Sequence, residues 1–149
     1  MKAVIQRVSK ASVDVEGQTI GKIGKGFMVL LGVHEDDTQE DLNYLVKKVT
    51  GLRIFEDSQG KMNLSLADVG GSLLVISQFT LLASTKKGNR PSFIQAGAPQ
   101  MSEGLYEQFM EACRNMGFHV EHGKFGAHMD VSLINDGPVT IIIDSRHRE

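Results

Sequence analysis

At 149 residues, with 41% hydrophobic and 23% charged side chains, the chain has enough apolar material for one core and too much for a disordered polymer. Its formal charge of −2 excludes a molecule-wide basic field, so a phosphate-rich partner has to meet a local cluster of cations. Cys113 is the single cysteine, which excludes an internal disulfide and fits a reducing compartment.

Met1–Val8 carries Lys2 and Arg7 and no long apolar stretch, so no signal peptide is expected. The longest apolar run, Phe27–Leu31, is too short to cross a bilayer. The expectation is a soluble cytoplasmic protein without a membrane segment, forming a single domain over residues 1–149.

Turn residues divide the opening of the chain into strands. Residues 2–8 form the first and 11–15 the second, ended by Glu16-Gly17. The third covers 19–23, and a longer buried one covers 26–33. Asp37 followed three residues later by Glu40 reads as an N-cap with its reciprocal partner. Leu42, Leu45, Val46, Val49 and Leu52 then recur at helical spacing, which gives the helix one inward face.

Residues 53–55 resume extended structure, Asp57–Gly60 is a turn, and Ser72–Ser77 is a strongly apolar strand. A second helix is predicted over 102–116, with Leu105, Phe109, Ala112, Cys113 and Met116 as its buried stripe and Gly117 closing it. Cys113 is on this reading a core residue and not a nucleophile. Two closing strands, 131–134 and 139–144, flank the tight segment Asn135-Asp136-Gly137-Pro138. Strands outnumber helices and the helices lie far apart, which predicts an α+β fold with a mixed or antiparallel sheet covered by two main helices.

Three segments offer chemistry. Ser77-Gln78-Phe79-Thr80 places hydroxyls, an amide and main-chain N–H groups at a strand end. Such groups can serve an oxyanion as it forms; equally, they can satisfy local backbone. Lys86, Lys87 and Arg90 lie within a five-residue stretch around Gly88, which reads either as a phosphate-contact patch or as a solvated loop. Gly137-Pro138 makes a turn, and a cis bond there would turn its flanking carbonyls in an unusual direction.

His128 is the histidine best placed to serve a Thr80 nucleophile. However, the chain has no Gly-x-Ser-x-Gly elbow and no acid obviously placed to orient that ring. His119 and His122 lack further ligands nearby in sequence, so no metal site is expected. No nucleotide-type glycine loop occurs, and no cofactor is implied.

Ser77-Gln78-Phe79-Thr80-Leu81 and Asn135-Asp136-Gly137-Pro138-Val139-Thr140 together resemble the two signature motifs of the D-aminoacyl-tRNA deacylases. Ala3–Val8, Leu52–Asp57 with Gly60–Asn63, and Gly88–Phe93 are similar to further segments of that family, in family order. The resemblance implies a homodimer of small barrel-like subunits with active sites at the interface, acting on aminoacylated tRNA.

It further implies that Gly137-Pro138 is a cis dipeptide inserted into the partner's pocket. There its carbonyls would hold the substrate amino group and exclude L-side chains, a clash built against the abundant wrong substrate. Glycyl-tRNA, with no side chain to exclude, would be accepted.

Main-chain groups around Gln78 and Phe79 would stabilise the oxyanion, and Thr80 is the suspected side-chain participant beside Ser77. The alternative is water activated by the terminal ribose 2′-hydroxyl. Phe125 and Met129 would wall the terminal adenosine, or else simply pack in the core. Lys86, Lys87 and Arg90 would meet phosphates. Leu82 departs from the aromatic residue frequent in the family, a difference expected at the pocket rim. Two rival readings stay open: a non-catalytic RNA-binding module and a triad-type hydrolase of small esters.

Overall fold

The computed structural model describes residues 1–149. Their order is β1 (Lys2–Val15), β2 (Gln18–Ile23), β3 (Gly26–Gly32), α1 (Gln39–Gly51), β4 (Phe55–Glu56), β5 (Met62–Leu64), β6 (Ser72–Ser77), a 3-10 turn (Phe79–Leu82), α2 (Pro99–Asn115), β7 (Val120–His122) and β8 (Asp130–Asp144).

The main sheet runs β2-β1-β3-β6-β7, with β8 paired along nearly the whole of β1. The β3–β6 and β6–β7 pairings are parallel and the others antiparallel, so the sheet is mixed. Gly21 of β2 sits where an added Cβ would lie 2.7 Å from the His122 carbonyl of β7. That close approach brings the two ends of the sheet together into a nearly closed barrel. The α+β class and the two main helices are as expected.

Period-two alternation sorts the strand residues onto two faces. Phe27, Val29, Leu31, Leu73 and Val75 join Ala3 and Ile5 in the larger core, which α1 and α2 cover. Met28, Leu74 and Ile76 point the other way, into a smaller cluster with Val8, Ala11, Val13 and Ile23. β6 is therefore apolar on both faces, which is why it reads as a continuous hydrophobic run.

Several sequence boundaries move. Residues 2–8 and 11–15 form one strand, because register shifts between Gln6 and Lys10 absorb the bend without ending the pairing with β8. For the same reason 131–134 and 139–144 are halves of one strand. Val8 faces Asn135 and Gln6 faces Thr140, so Asp136, Gly137, Pro138 and Val139 stand opposite Arg7 alone. The Gly137–Pro138 peptide bond is cis. In addition, α2 begins at Pro99, since proline suits a first helical turn, and its C-cap Met116 is exposed where a buried residue was expected.

The helix α1 is capped by Thr38, whose N–H donates to Asp41 Oδ2 at 2.9 Å. Asp37, expected as the cap, is buried instead. Its carboxylate accepts the Met1 ammonium at 2.6 Å, the His34 N–H at 2.7 Å and Arg146 Nε at 3.2 Å. A carboxylate this far from water needs such partners.

Candidate active site

The parallel pairing of β3 with β6 ends at Leu31↔Ser77, and Gln78 N–H donates to the Leu31 carbonyl at 2.8 Å. The chain then turns into the 3-10 segment 79–82. Gly32 permits the turn to sit so close: an added Cβ would lie 2.7 Å from Leu82 Cδ2 and 3.0 Å from the Gln78 carbonyl. Leu82 is buried under the turn, which corrects the expectation that it shapes the pocket rim.

A cavity of about 640 Å³ opens at this strand end. Ser77, Gln78 and Phe79 line one side, and Phe125, His128 and Met129 line another. The segment 96–99 and Phe93 complete the wall. The Phe93 ring meets exposed Phe79 edge-on at 5.1 Å between centroids. Phe125 packs against the larger core and also lines the cavity.

Thr80 is exposed and outside the lining, joined to it by the Gln78 side-chain amide, which donates to its hydroxyl. His128, the histidine of the cavity wall, is 96% exposed and faces Asp130 at 3.8 Å. Gln78 N–H is already bonded to Leu31. Any oxyanion donors from this main chain therefore come from Phe79 and Thr80, the first residues of the turn, where N–H groups lack an intrahelical acceptor.

Lys86, Lys87 and Arg90 are exposed on a loop whose ends are tied by Ser84 and Ser92, with reciprocal bonds of 2.8 and 2.9 Å. They do not line the cavity, and neither do Gly137 and Pro138 of the same chain. Residues 136–138 are exposed but firmly held. Arg7 Nε donates to the Asp136 carbonyl at 2.9 Å, while its Nη1 donates to Ile54 O at 2.7 Å. Asn135 Oδ1 accepts the Val139 N–H at 3.0 Å.

Sequence reasoning missed Arg7, although the signal is present. It shares the inward face of β1 with Ala3 and Ile5, and a cation at an inward position must have a polar partner there. It also missed Phe93 and the small-residue run Ala96-Gly97-Ala98, which line the cavity. His119 pairs with Glu121 at 3.0 Å, and His122 Nδ1 lies 2.6 Å from the Gly123 carbonyl. No group of three or more histidine, cysteine or acidic side chains is placed to hold a metal ion.

The family model described as D-Tyr-tRNA(Tyr) deacylase matches residues 4–144. A protein named D-aminoacyl-tRNA deacylase from Thermosipho africanus is 56% identical over 146 residues, covering 98% of each chain. Another of that name from Dehalococcoides mccartyi is 59% identical over 148 residues, covering 99% of this chain and 97% of its own.

Among solved structures, a c-Myc DNA unwinding element binding protein superposes with a TM-score of 0.91 at 45% identity, covering 97% of this chain and 98% of its own. A probable eukaryotic D-amino acid tRNA deacylase superposes at 0.81 with 21% identity, covering 95% and 97%, a likeness of fold alone. The family match and these relatives cover nearly the whole chain: it belongs to the D-aminoacyl-tRNA deacylase family of ester hydrolases.

Proposed function

We propose that the protein hydrolyses the ester bond of D-aminoacyl-tRNA, releasing the D-amino acid and free tRNA, accepts glycyl-tRNA, and refuses L-aminoacyl-tRNA. The observation that carries this reading is a division within one subunit. The cavity holds the hydroxyl, amide and aromatic groups, whereas Asp136–Pro138, an exposed main-chain element held by Arg7 and Asn135, lies outside it. A second copy of the chain supplies that element.

Support for the homodimer comes from the outer face of the sheet. Ile142, Val4 and Leu30 are register partners across β8, β1 and β3. Ile142 is 67% exposed and Ile134, further along β8, is 49% exposed. Two such faces brought together remove apolar surface from water and cover a long edge strand.

In this arrangement the partner's Gly137 and Pro138 carbonyls accept hydrogen bonds from the substrate ammonium, and the Cα hydrogen of a D-residue faces them. An L-residue would turn its side chain into the same main chain. Main chain pinned by Arg7 and Asn135 cannot retreat, so the clash costs affinity. Glycine meets no clash.

Phe79 and Thr80 N–H groups stabilise the oxyanion formed when water adds to the ester carbonyl. The terminal ribose 2′-hydroxyl takes part in activating that water. Ser77, Gln78 and Thr80 order the strand end, while Phe125 and Met129 wall the adenosine. Lys86, Lys87 and Arg90 meet phosphates. The setting is the cytoplasm, where charged tRNA is found.

The test is turnover by purified protein of a D-aminoacyl-tRNA and of the corresponding D-amino acid methyl ester. Hydrolysis of the first alone is expected. Binding without turnover would favour an RNA-binding module, and equal turnover of the methyl ester a small-ester hydrolase.

A further inference from the structure

Phe125 and Met129 belong to one short excursion that leaves the sheet after β7 and returns at the start of β8. The β6–β7 ladder ends at Val75↔His122, and the next residue, Gly123, is buried. An added Cβ at Gly123 would lie 2.4 Å from Met129 Sδ and 3.3 Å from Ile76 Cδ1. The two ends of the excursion thus touch through the space a side chain would fill. Lys124 N–H donates to the same sulfur at 3.4 Å, and Ala127 N–H donates to the Lys124 carbonyl at 3.2 Å, closing the excursion on itself.

Behind this excursion stands Tyr106 of α2, 3% exposed. Its ring lies 6.1 Å from that of Phe125, centroid to centroid. The hydroxyl donates to the Val75 carbonyl at 2.8 Å, at the last pair of the β6–β7 ladder and two residues before Ser77. The Gly123 main chain is the hydroxyl's other neighbour. Burial holds this phenol well above its ordinary range, so it stays a donor at any physiological pH.

A buried hydroxyl needs only some acceptor. This one reaches the point where the strand bearing Ser77–Phe79 meets the excursion bearing Phe125 and Met129. Those two segments are opposite walls of the cavity.

We propose that Tyr106 and Gly123 are positioning residues for the substrate: the hydroxyl and the missing side chain fix the separation of the two walls, and with it the affinity for the terminal nucleoside of tRNA. The inference rests on the reading of Phe125 and Met129 as the nucleoside wall. Neither residue touches the reacting ester, so their loss acts on binding and not on the chemical step.

The experiment measures KM and kcat for a D-aminoacyl-tRNA with Tyr106→Phe, Gly123→Ala, Phe125→Leu and Cys113→Ala, at a temperature where every variant is folded. Tyr106→Phe and Gly123→Ala are expected to raise KM about tenfold with kcat within about twofold of wild type, as misplaced binding groups do. Phe125→Leu moves KM in the same direction. Cys113→Ala, a core change on the same helix, lowers the unfolding midpoint and leaves KM unchanged.

If Phe125→Leu raises KM while Tyr106→Phe does not, the positioning role is refuted and the wall reading stands. If Phe125→Leu leaves KM unchanged, the wall reading fails and takes the proposal with it. Should Gly123→Ala not fold, the Tyr106→Phe result decides alone.

Discussion

Arg7 and Asp136 are joined by a hydrogen bond of 2.9 Å from a buried guanidinium to a main-chain carbonyl, one residue before Gly137. The same guanidinium reaches Ile54 O at 2.7 Å, so one side chain ties the exposed β8 segment to the strand connection beyond α1. A planar fork can serve two carbonyls in fixed directions, which an ammonium on a flexible stem cannot reproduce.

Arg7→Lys is therefore expected to loosen residues 136–138 more than the fold. Losing one charged hydrogen bond costs about 1.5–3 kcal/mol. The expected outcome is retained D-aminoacyl-tRNA hydrolysis with the D-over-L rate ratio lowered about tenfold or more, as 1.4 kcal/mol of lost discrimination gives. Paired single-turnover assays on D- and L-esters check it; an unchanged ratio would show that the segment holds its place without Arg7.

The loop cations give a salt-dependent prediction. Replacing Lys86, Lys87 and Arg90 together by alanine should raise KM for every charged tRNA alike and leave kcat and the D-over-L ratio in place. The slope of log KM against log salt should shrink by about one for each phosphate contact removed. A slope equal to that of wild type would return the loop to a merely solvated role.

Thr80 and the substrate's own 2′-hydroxyl are separated by a matched pair of measurements. Thr80→Val removes the hydroxyl that the Gln78 amide bonds, and kcat is expected to fall less than about tenfold, far short of a lost nucleophile. A tRNA ending in 2′-deoxyadenosine should lose about a hundredfold or more, the range of proton-transfer assistance. Reversed magnitudes would make Thr80 the reacting group.

At the far end of the molecule, Asp37, Asp41 and Asp144 surround the Met1 ammonium and Arg146. Burial pushes the Asp41 carboxyl up, but the Ser145 hydroxyl, the Thr38 N–H and the nearby cations outweigh it and hold it below 3.8. Burial likewise raises Asp144; the Arg146 N–H, His147, the Met1 ammonium and Lys2 bring it below 3.8. Carboxyls lowered in the fold contribute stability that is complete above their unfolded value and lost as pH falls through the folded one.

The urea midpoint of unfolding should accordingly fall below about pH 4, and Asp41→Asn should flatten that dependence. Asp37→Asn should cost about 3–5 kcal/mol at neutral pH, as for a broken buried pair. A neutral-pH cost near zero would mean that the Asp37 cluster does not anchor the fold.

How much of this was legible in the residues differs by element. Turn residues, alternation and, for β3 and β6, continuous apolar runs located every strand of the main sheet except β7, because burial on one face or on both leaves a trace along the chain. Three-residue β7 carries too little pattern to announce itself, and its partner strand is distant in sequence. The start of α1 shifted because Thr38, partnered by Asp41, caps the helix in place of Asp37, and only tertiary contacts send Asp37 inward to the ammonium and Arg146.

The site divides in the same way. Ser77–Phe79 could be placed at a strand end from local sequence, and Phe125 and Met129 were set beside them only through resemblance to a family. Arg7 and Tyr106 escaped because their partners are main-chain carbonyls far along the chain, Asp136 and Ile54 for one and Val75 for the other. No local pattern marks a carbonyl as an acceptor.

The most direct measurement is the pair of single-turnover rates for one tRNA carrying D-tyrosine and then L-tyrosine, with the purified wild-type protein. Rapid cleavage of the D-ester with the L-ester surviving at its spontaneous rate is the expected result. Cleavage of both at similar rates, or of neither above background, would contradict the chiral hydrolase proposed for this fold.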